Sequence, residues 1–386
     1  MAIRRSNKLK IGLVLDDGLD KPGGVQEYIL AVGEWLRTQG HEVRYLVGQT
    51  ARTDIAGVHS MSRNVRVRFN GNSLSMPLPT SKTRLRDFLH SEQFDVLHIQ
   101  VPYSPFMAQR LILAADRKRT AIIGTFHIAP NNRLVSVGNR ALGWWLHPSL
   151  KRFDAMLSVS ATAADFALAT FGTPSEISPN VIDYQRFHNA KPLQRYRDDR
   201  LTILFLGRLV PRKGCMLLLK AVSGLAKRKD LPKFRVVVCG TGPLEQKLRR
   251  YIASRGLGKL VQLAGFVTEA DKSRYYASAD ISVFPSSGGE SFGIVLLEAM
   301  AGGRAAVLAG DNAGYRSVLA SRPELLFDPR DAEVLAGRLA DYLMDADSRR
   351  ELQLWGADFA KQFDVSVVGK QLLAVYAKAL HKRRNP

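Results

Sequence analysis

Short apolar runs of strand length alternate with longer amphipathic stretches, and the alternation occurs twice along the chain. In the first half Ile11 to Leu15, Glu42 to Val47, Val96 to Gln100, Ala121 to Phe126 and Met156 to Ser160 read as strands, with Val25 to Gln39 as a helix. A second series starts at Thr202 with Ile203-Leu204-Phe205-Leu206 and continues through Arg235 to Cys239, Val261 to Leu263, Ile281 to Phe284 and Ala305 to Leu308. Near-continuous apolar strands separated by helices predict parallel sheets covered on both faces. The 386 residues exceed the usual size of one core, so the two series predict two doubly wound α/β domains. Between them Lys191 to Arg200 is polar, charged and interrupted by Pro192, which makes it the expected linker between domains at 1–190 and 201–364. Ala51 to Pro79 is polar and turn-rich, and predicts short strands with an exposed loop.

The charge balance points to a polyanionic partner, because 56 Lys and Arg stand against 35 Asp and Glu, a formal net charge of +21. Nucleic acid and anionic lipid both satisfy that requirement. No aromatic-interleaved basic platform or nucleic-acid module is visible, which lowers the first reading. Two segments suit a bilayer surface. Ser81 to His90 alternates Lys82, Arg84 and Arg86 with apolar residues at helical spacing, and Arg140 to His147, with Lys151 and Arg152, carries the pair Trp144-Trp145. Each could equally be an ordinary amphipathic helix packed on a sheet. No window of about 18 apolar residues offers a transmembrane helix. The basic start runs into a short strand and then Asp16 and Asp17, so a signal peptide is not expected. The two cysteines, Cys215 and Cys239, lie in apolar patterns and read as buried thiols, and no metal-ligand cluster is evident. Contact with a membrane is therefore expected to be peripheral.

Chemistry concentrates in Gly288 to Met300, where Glu290 and Glu298 bracket a glycine-containing turn and an apolar helical run. Eight helical residues would separate the two carboxylates by roughly 12 Å along the axis, a span that suits a nucleotide-sugar diphosphate. Backbone N–H groups at the helix start face an anion while carboxylates accept from hydroxyls. A lone pair of glutamates at this spacing is more often solvated surface charge. Here Arg208 follows a strand directly and Lys213 comes five residues later, placing cations where a diphosphate would lie. Gly23 and Gly24 permit close backbone approach before the helix Val25 to Gln39. Their spacing is not the dinucleotide fingerprint, so a nicotinamide-linked reductase is a poor reading.

Gly289-Glu290-Ser291-Phe292-Gly293 with Glu298-Ala299-Met300 resembles the paired-glutamate segment of retaining glycosyltransferases of the GT-B fold, the nucleotide-sugar family called family 4. Pro22 to Gln26, Gly124 to His127, Pro179-Asn180, Leu206 to Arg208, Arg212 to Gly214, Val238 to Pro243 and Gly265 to Val267 match further motifs of that family, in its order. Within it the likeness is strongest to members that mannosylate phosphatidylinositol, through Pro22 to Gln26, Phe94 to His98, Gly288 to Met300 and Asp364 to Val368. Departures occur at Ile128 to Arg133, Val181 and Arg304.

The resemblance implies two Rossmann-like domains facing across a cleft, an acceptor-binding first domain completed by the C-terminal helix 365–386, and a nucleotide-sugar-binding second one. It implies His127, Arg208, Lys213 and Glu290 as catalytic residues, with His127 near the transferred sugar. Donor contacts are implied for Gly23, Gly24, Gly207, Arg208, Lys213, Gly242, Phe266, Val267, Glu290, Ser291, Phe292, Gly293, Ile294 and Glu298. Acceptor contacts fall to Asp16, Asp17, Asp20, Gln26 and Asn70. The implied activity moves a hexose, first choice mannose from GDP-mannose, onto a membrane lipid such as phosphatidylinositol, at the cytoplasmic face of the membrane. A UDP-sugar is the alternative donor; no cofactor is expected to be tightly bound, and Mg2+ is possible although no site for it is visible. Glucosylation of diacylglycerol, or of a polyprenyl-linked or soluble acceptor, is the alternative within the class. A basic nucleic-acid-binding protein and a non-catalytic sugar-nucleotide binder are the alternatives outside it.

Overall fold

Strand formation follows the apolar runs. β1 (Lys10–Leu15), β2 (Glu42–Val47), β3 (Val58–Ser60), β6 (Val96–Gln100), β7 (Ala121–Phe126), β8 (Ala155–Ser158) and β9 (Glu176–Ile177) form one parallel sheet in the order β3-β2-β1-β6-β7-β8-β9. β4 (Asn64–Phe69) and β5 (Asn72–Pro77) make a separate antiparallel pair. In this computed structural model the described residues are 8–21, 23–69, 72–78, 80–127 and 143–384. Asn70, Ile128 to Arg133 and Arg140 to Leu142, singled out above, lie outside them. A second parallel sheet has the order β12-β11-β10-β13-β14-β15. Its strands are β10 (Leu201–Leu206), β11 (Phe234–Cys239), β12 (Val261–Gly265), β13 (Ile281–Phe284), β14 (Ala306–Gly310) and β15 (Leu326–Phe327).

Both sheets are doubly wound, as the alternating pattern predicts, and in each the strand order reverses once: between β1 and β6, and between β10 and β13. Ligands of open parallel sheets bind at such reversals, beyond the carboxyl ends of the strands.

The chain divides into two units, Met1–Val181 with Val365–Pro386, and Ile182–Asp364. The expected linker Lys191 to Arg200 is instead part of the second unit. Leu193 and Tyr196 are buried there, the Leu193 N–H donates to Ser278 Oγ at 2.8 Å, and the Tyr196 hydroxyl donates to Gln262 Oε1 at 3.1 Å. Two apolar anchors outweigh the polar residues around them. The chain enters and leaves this unit side by side: Ile182 pairs with Asp364 in a parallel bridge and its N–H donates to Phe363 O at 2.9 Å.

The first unit takes in the last helix. α1 (Gly24–Thr38) and the C-terminal helix (Val365–Arg384) share one core, to which the latter contributes Val368, Leu372, Tyr376, Ala379 and Leu380. That spacing of three or four residues is one helix face. Gly369 lies against the indole of Trp35 in α1, where a Cβ would come within 2.4 Å of a ring carbon. Gly369→Val should therefore overpack this contact and lower stability by about 1–3 kcal/mol, read as a lower urea midpoint; an unchanged midpoint would show that the two helices do not pack this tightly.

Candidate active site

The strand-order reversal of the second unit lies between the loop that leaves β10 and the loop that leaves β13, and charged groups of these two loops meet. Arg212 Nη1 is 2.7 Å and Lys213 Nζ 2.8 Å from Glu290 Oε1. Ser286 Oγ lies 2.7 Å from the same oxygen and can donate to it. The Ser287 N–H closes the loops together by donating to Arg212 O at 2.8 Å. Gly214 makes that approach possible. It has φ +74°, and a Cβ there would sit 1.9 Å from Pro285 O, so no other residue fits without displacing the β13 loop.

Burial alone would raise the Glu290 carboxyl, but Lys213, then Arg212 and Ser286, hold it below its ordinary value. Burial also draws the Lys213 ammonium below the usual lysine range, against the pull of Glu290. Arg208 is lowered by burial and by the nearby Arg212. Three cations and one carboxylate thus leave an excess of positive charge at the carboxyl end of β10, where an anion would be drawn.

Glu290 does not lie on the helix. The helix Ile294–Ala301 begins four residues later with Gly293 as its cap, so the helical rise assumed between the two glutamates applies only to its second half. Glu298 is on that helix and nearly inaccessible. Lys272 Nζ donates to its Oε1 at 2.7 Å and Tyr276 Oη to its Oε2 at 3.2 Å. Phe292 is buried against Phe363, whereas Phe266, just past β12, is 64 % exposed. Gly207 follows β10, Gly242 follows β11 and Val267 follows β12, so these positions share the carboxyl edge of one sheet. At Gly242 a Cβ would lie 2.5 Å from Leu209 O. Ser291, Gly293 and Ile294 complete the turn into the helix Ile294–Ala301.

In the first unit the carboxylates after β1 are held by hydrogen bonds within the unit. The Asp16 carboxylate is buried, accepts from Ser104 Oγ and, at 2.7 Å, from the Ala108 N–H, and is pushed up to about 6 by burial. Asp17 accepts from the Gly18 N–H at 2.7 Å and from Gln26 Nε2 at 3.2 Å, and burial raises its pKa. Asp20 accepts from the Ala51 N–H at 2.7 Å. Gln26 lies over Gly23, whose Cβ would come 2.4 Å from Gln26 Oε1; Gly24 opens α1 and is exposed.

His127 directly follows β7 and is buried, with its Nε2 2.6 Å from Gln100 Oε1. A carboxamide oxygen only accepts, so Nε2 carries the proton and Nδ1 is the ring's acceptor; the Asn180 side chain also hydrogen-bonds to the ring. Burial drives the ring's pKa down to about 3, so it is neutral at ordinary pH. His98 is held likewise, its Nδ1 2.8 Å from Tyr376 Oη and its Nε2 2.7 Å from Thr125 Oγ1, and burial takes it also to about 3. Tyr28 stacks edge-on to His127 at 5.0 Å, and its hydroxyl has no hydrogen-bond partner among the described residues.

Several of these residues escaped the sequence reading. Arg212 was within a quoted motif, but only the structure shows it, rather than Lys213 alone, on Glu290. Asn312 is another: its Nδ2 donates to Ser286 O and Gly310 O, each at 3.0 Å, bracing the Glu290 loop. Gln100 is the third. Among the described residues no group of three or more His, Cys, Asp or Glu is placed to hold a metal ion.

Two Rossmann-type units, the second with a cationic, carboxylate-bearing site at its strand reversal, define a glycosyltransferase of the GT-B fold. The chain belongs to this family: residues 22–186 match Glycosyltransferase Family 4 and residues 188–354 match Glycosyl transferases group 1. It is a hexosyltransferase dependent on a nucleotide sugar. Phosphatidyl-myo-inositol mannosyltransferase of Mycolicibacterium smegmatis is 32% identical over 95% of this chain and 93% of its own length. The GDP-mannose-dependent alpha-(1-6)-phosphatidylinositol monomannoside mannosyltransferase of Mycobacterium tuberculosis is 27% identical over 88% of this chain and 90% of its own. A glycosyltransferase structure from Rickettsia africae shares the fold with TM-score 0.76 at 18% identity, over 97% of this chain and 99% of that one.

The buried neutral histidines set a pH dependence. Their folded pKa values lie near 3, below the ordinary value of 6.5, so between those limits the unfolded chain binds more protons and stability falls as pH falls. Each contributes about 1.4 kcal/mol per pH unit in that window. Asp16, raised to about 6, opposes them between its ordinary value of 3.8 and that point. Acidification from pH 7 to pH 5 should therefore lower the denaturation midpoint, and His98→Gln should show a shallower slope; equal slopes for the two proteins would contradict the burial of a neutral His98.

Proposed function

We propose that the chain transfers mannose from GDP-mannose, with retention of configuration, to the inositol of a phosphatidylinositol-type lipid at a membrane surface. The observation that carries this reading is the Arg212–Glu290–Lys213 cluster at the strand reversal of the second unit. As the bond between anomeric carbon and phosphate oxygen breaks, negative charge grows on the nucleoside diphosphate. Arg208 and Lys213 are the groups that would stabilise it, already fixed and partly desolvated. Glu290, released from part of its ion pairing by the diphosphate, accepts hydrogen bonds from sugar hydroxyls. Glu298 takes the ribose hydroxyls on the lone pairs that Lys272 and Tyr276 leave open. His127, neutral and with Nδ1 as acceptor, holds a sugar hydroxyl and is no nucleophile. The names of the two relatives support donor and acceptor, since one is called GDP-mannose-dependent and both act on inositol lipids by name.

A lipid acceptor requires the protein to reach a bilayer, and no described helix is long and apolar enough to cross one. α2 (Lys82–Glu92) turns Leu85 and Leu89 into the core and leaves Lys82, Arg84 and Arg86 exposed. Trp144, 83 % exposed, and Trp145, 59 % exposed, sit on the helical residues 143–150. Cations and bare indoles together suit an anionic interface, here the cytoplasmic face where nucleotide sugars are made available.

Incubating the protein with GDP-mannose, UDP-glucose, UDP-galactose or UDP-N-acetylglucosamine, each against phosphatidylinositol, diacylglycerol and soluble polyols, should yield hexosylated phosphatidylinositol from GDP-mannose alone. Product mass decides it, and a glucosylated diacylglycerol would replace this reading with the alternative. Glu298→Ala should weaken nucleotide binding by roughly tenfold to a hundredfold, the loss of a charge-assisted hydrogen bond of about 1.5–3 kcal/mol. Glu290→Ala should reduce turnover more than nucleotide affinity; calorimetry and rates matching wild type for both variants would remove the donor-site assignment.

Vesicle binding is expected to need anionic lipid and to weaken as salt rises. Each cation near the surface adds about 1 kcal/mol, so replacing Lys82, Arg84 and Arg86 by Gln should clearly reduce cosedimentation. Equal binding to neutral and anionic vesicles, or tight RNA binding that competes with nucleotide sugar, would exclude the membrane reading.

A further inference from the structure

At the opposite end of the second sheet, a cavity of about 180 Å³ opens beside the first residues of β10, β11 and β12. Arg195, Arg200, Arg235 and Lys259 line it, and no carboxylate does. Two of these cations come from the charged segment that reads as a linker in the sequence. Gln262 also lines the cavity, and its Oε1 accepts from the Tyr196 hydroxyl at 3.1 Å.

Arg235 is the best-defined member. It is buried at 5 % exposure in β11, stacked 5.4 Å from the Tyr196 ring centroid, with one terminal nitrogen on Asp198 and on Tyr196 O. Its Nε has no hydrogen-bond partner among the described residues. Arg195 lies over the rings of Tyr196 and Tyr275 at 5.0 and 5.4 Å and donates to Tyr275 Oη, which holds its guanidinium in place. Asp198 pairs with Arg200 and Arg235 from outside the lining and leaves Arg195 and Lys259 uncompensated by it.

We propose that this cavity is a second anion site, built for the phosphate group of a small phosphomonoester or for inorganic phosphate. Several guanidinium groups and an ammonium lining one cavity without a carboxylate match a tetrahedral dianion, which is an acceptor on every face. The site is distinct from the diphosphate site proposed above. Arg200 precedes β10 and Arg208 follows it, and the six-residue strand between them spans about 20 Å at roughly 3.3 Å per residue. The inference does not depend on which sugar or acceptor the enzyme uses.

Equilibrium dialysis of the intact protein against radiolabelled inorganic phosphate and against glycerol 3-phosphate, at constant ionic strength with chloride as the balancing anion, tests it. Saturable binding is expected, weakened at least tenfold in the double variant Arg195→Gln, Lys259→Gln and unchanged in Arg208→Gln. Both positions of the double variant are exposed, so folding should survive, and circular dichroism can confirm that. Equal affinity for the two ligands assigns the site to the phosphate group alone, and tighter binding of glycerol 3-phosphate assigns it to an ester. Absence of saturable binding, full binding in the double variant, or loss of binding in Arg208→Gln would each overturn the proposal, the last by placing the anion in the donor site.

Discussion

The ion pairs from Arg212 and Lys213 to Glu290 hold together the two loops on which the second unit's site is built. Each loop leaves a strand at the strand-order reversal. Partly buried charges of this kind are stable only when mutually compensated, because the desolvation of an isolated one would exceed what the fold returns. The arrangement is therefore stable without ligand yet keeps an excess of positive charge, the condition for attracting a diphosphate. Gly214 and Asn312 serve the same geometry from behind, the first by letting the loops touch and the second by bracing Ser286 and Gly310.

The first unit presents the opposite electrostatic solution. His98 and His127 are buried with hydrogen-bond partners that fit a neutral ring, and burial keeps them uncharged. A neutral ring beside the carboxyl ends of β6 and β7 suits a sugar hydroxyl better than a phosphate. The C-terminal helix is tied to His98 as well as to the core, since Tyr376 supplies the hydroxyl next to its Nδ1.

The strands were legible because parallel strands buried on both faces are written as unbroken apolar runs, and Val236, Val237 and Val238 or Ile122 and Ile123 need no partner to be recognised. The path of Lys191 to Arg200 was not, because its fit to the second unit depends on Leu193 and Tyr196 finding cover from β12 and from Ser278, which no local pattern reveals. Glu290 and Glu298 were found by spacing, but the spacing was read as helical where glycines hold a turn. Gln100 and Asn312 bind partners 27 and 26 residues away, a relation created by strand order. Motifs fix which residues gather at the strand ends; the hydrogen bonds that orient them are a product of topology.

The most direct test of the donor-site assignment is a crystal structure of the protein with GDP-mannose bound. The account predicts the diphosphate within hydrogen-bond distance of Arg208 and Lys213, with a sugar hydroxyl on the Glu290 carboxylate and the ribose on Glu298. A nucleotide bound elsewhere, with the Lys213–Glu290 pair intact and facing no ligand, would contradict it.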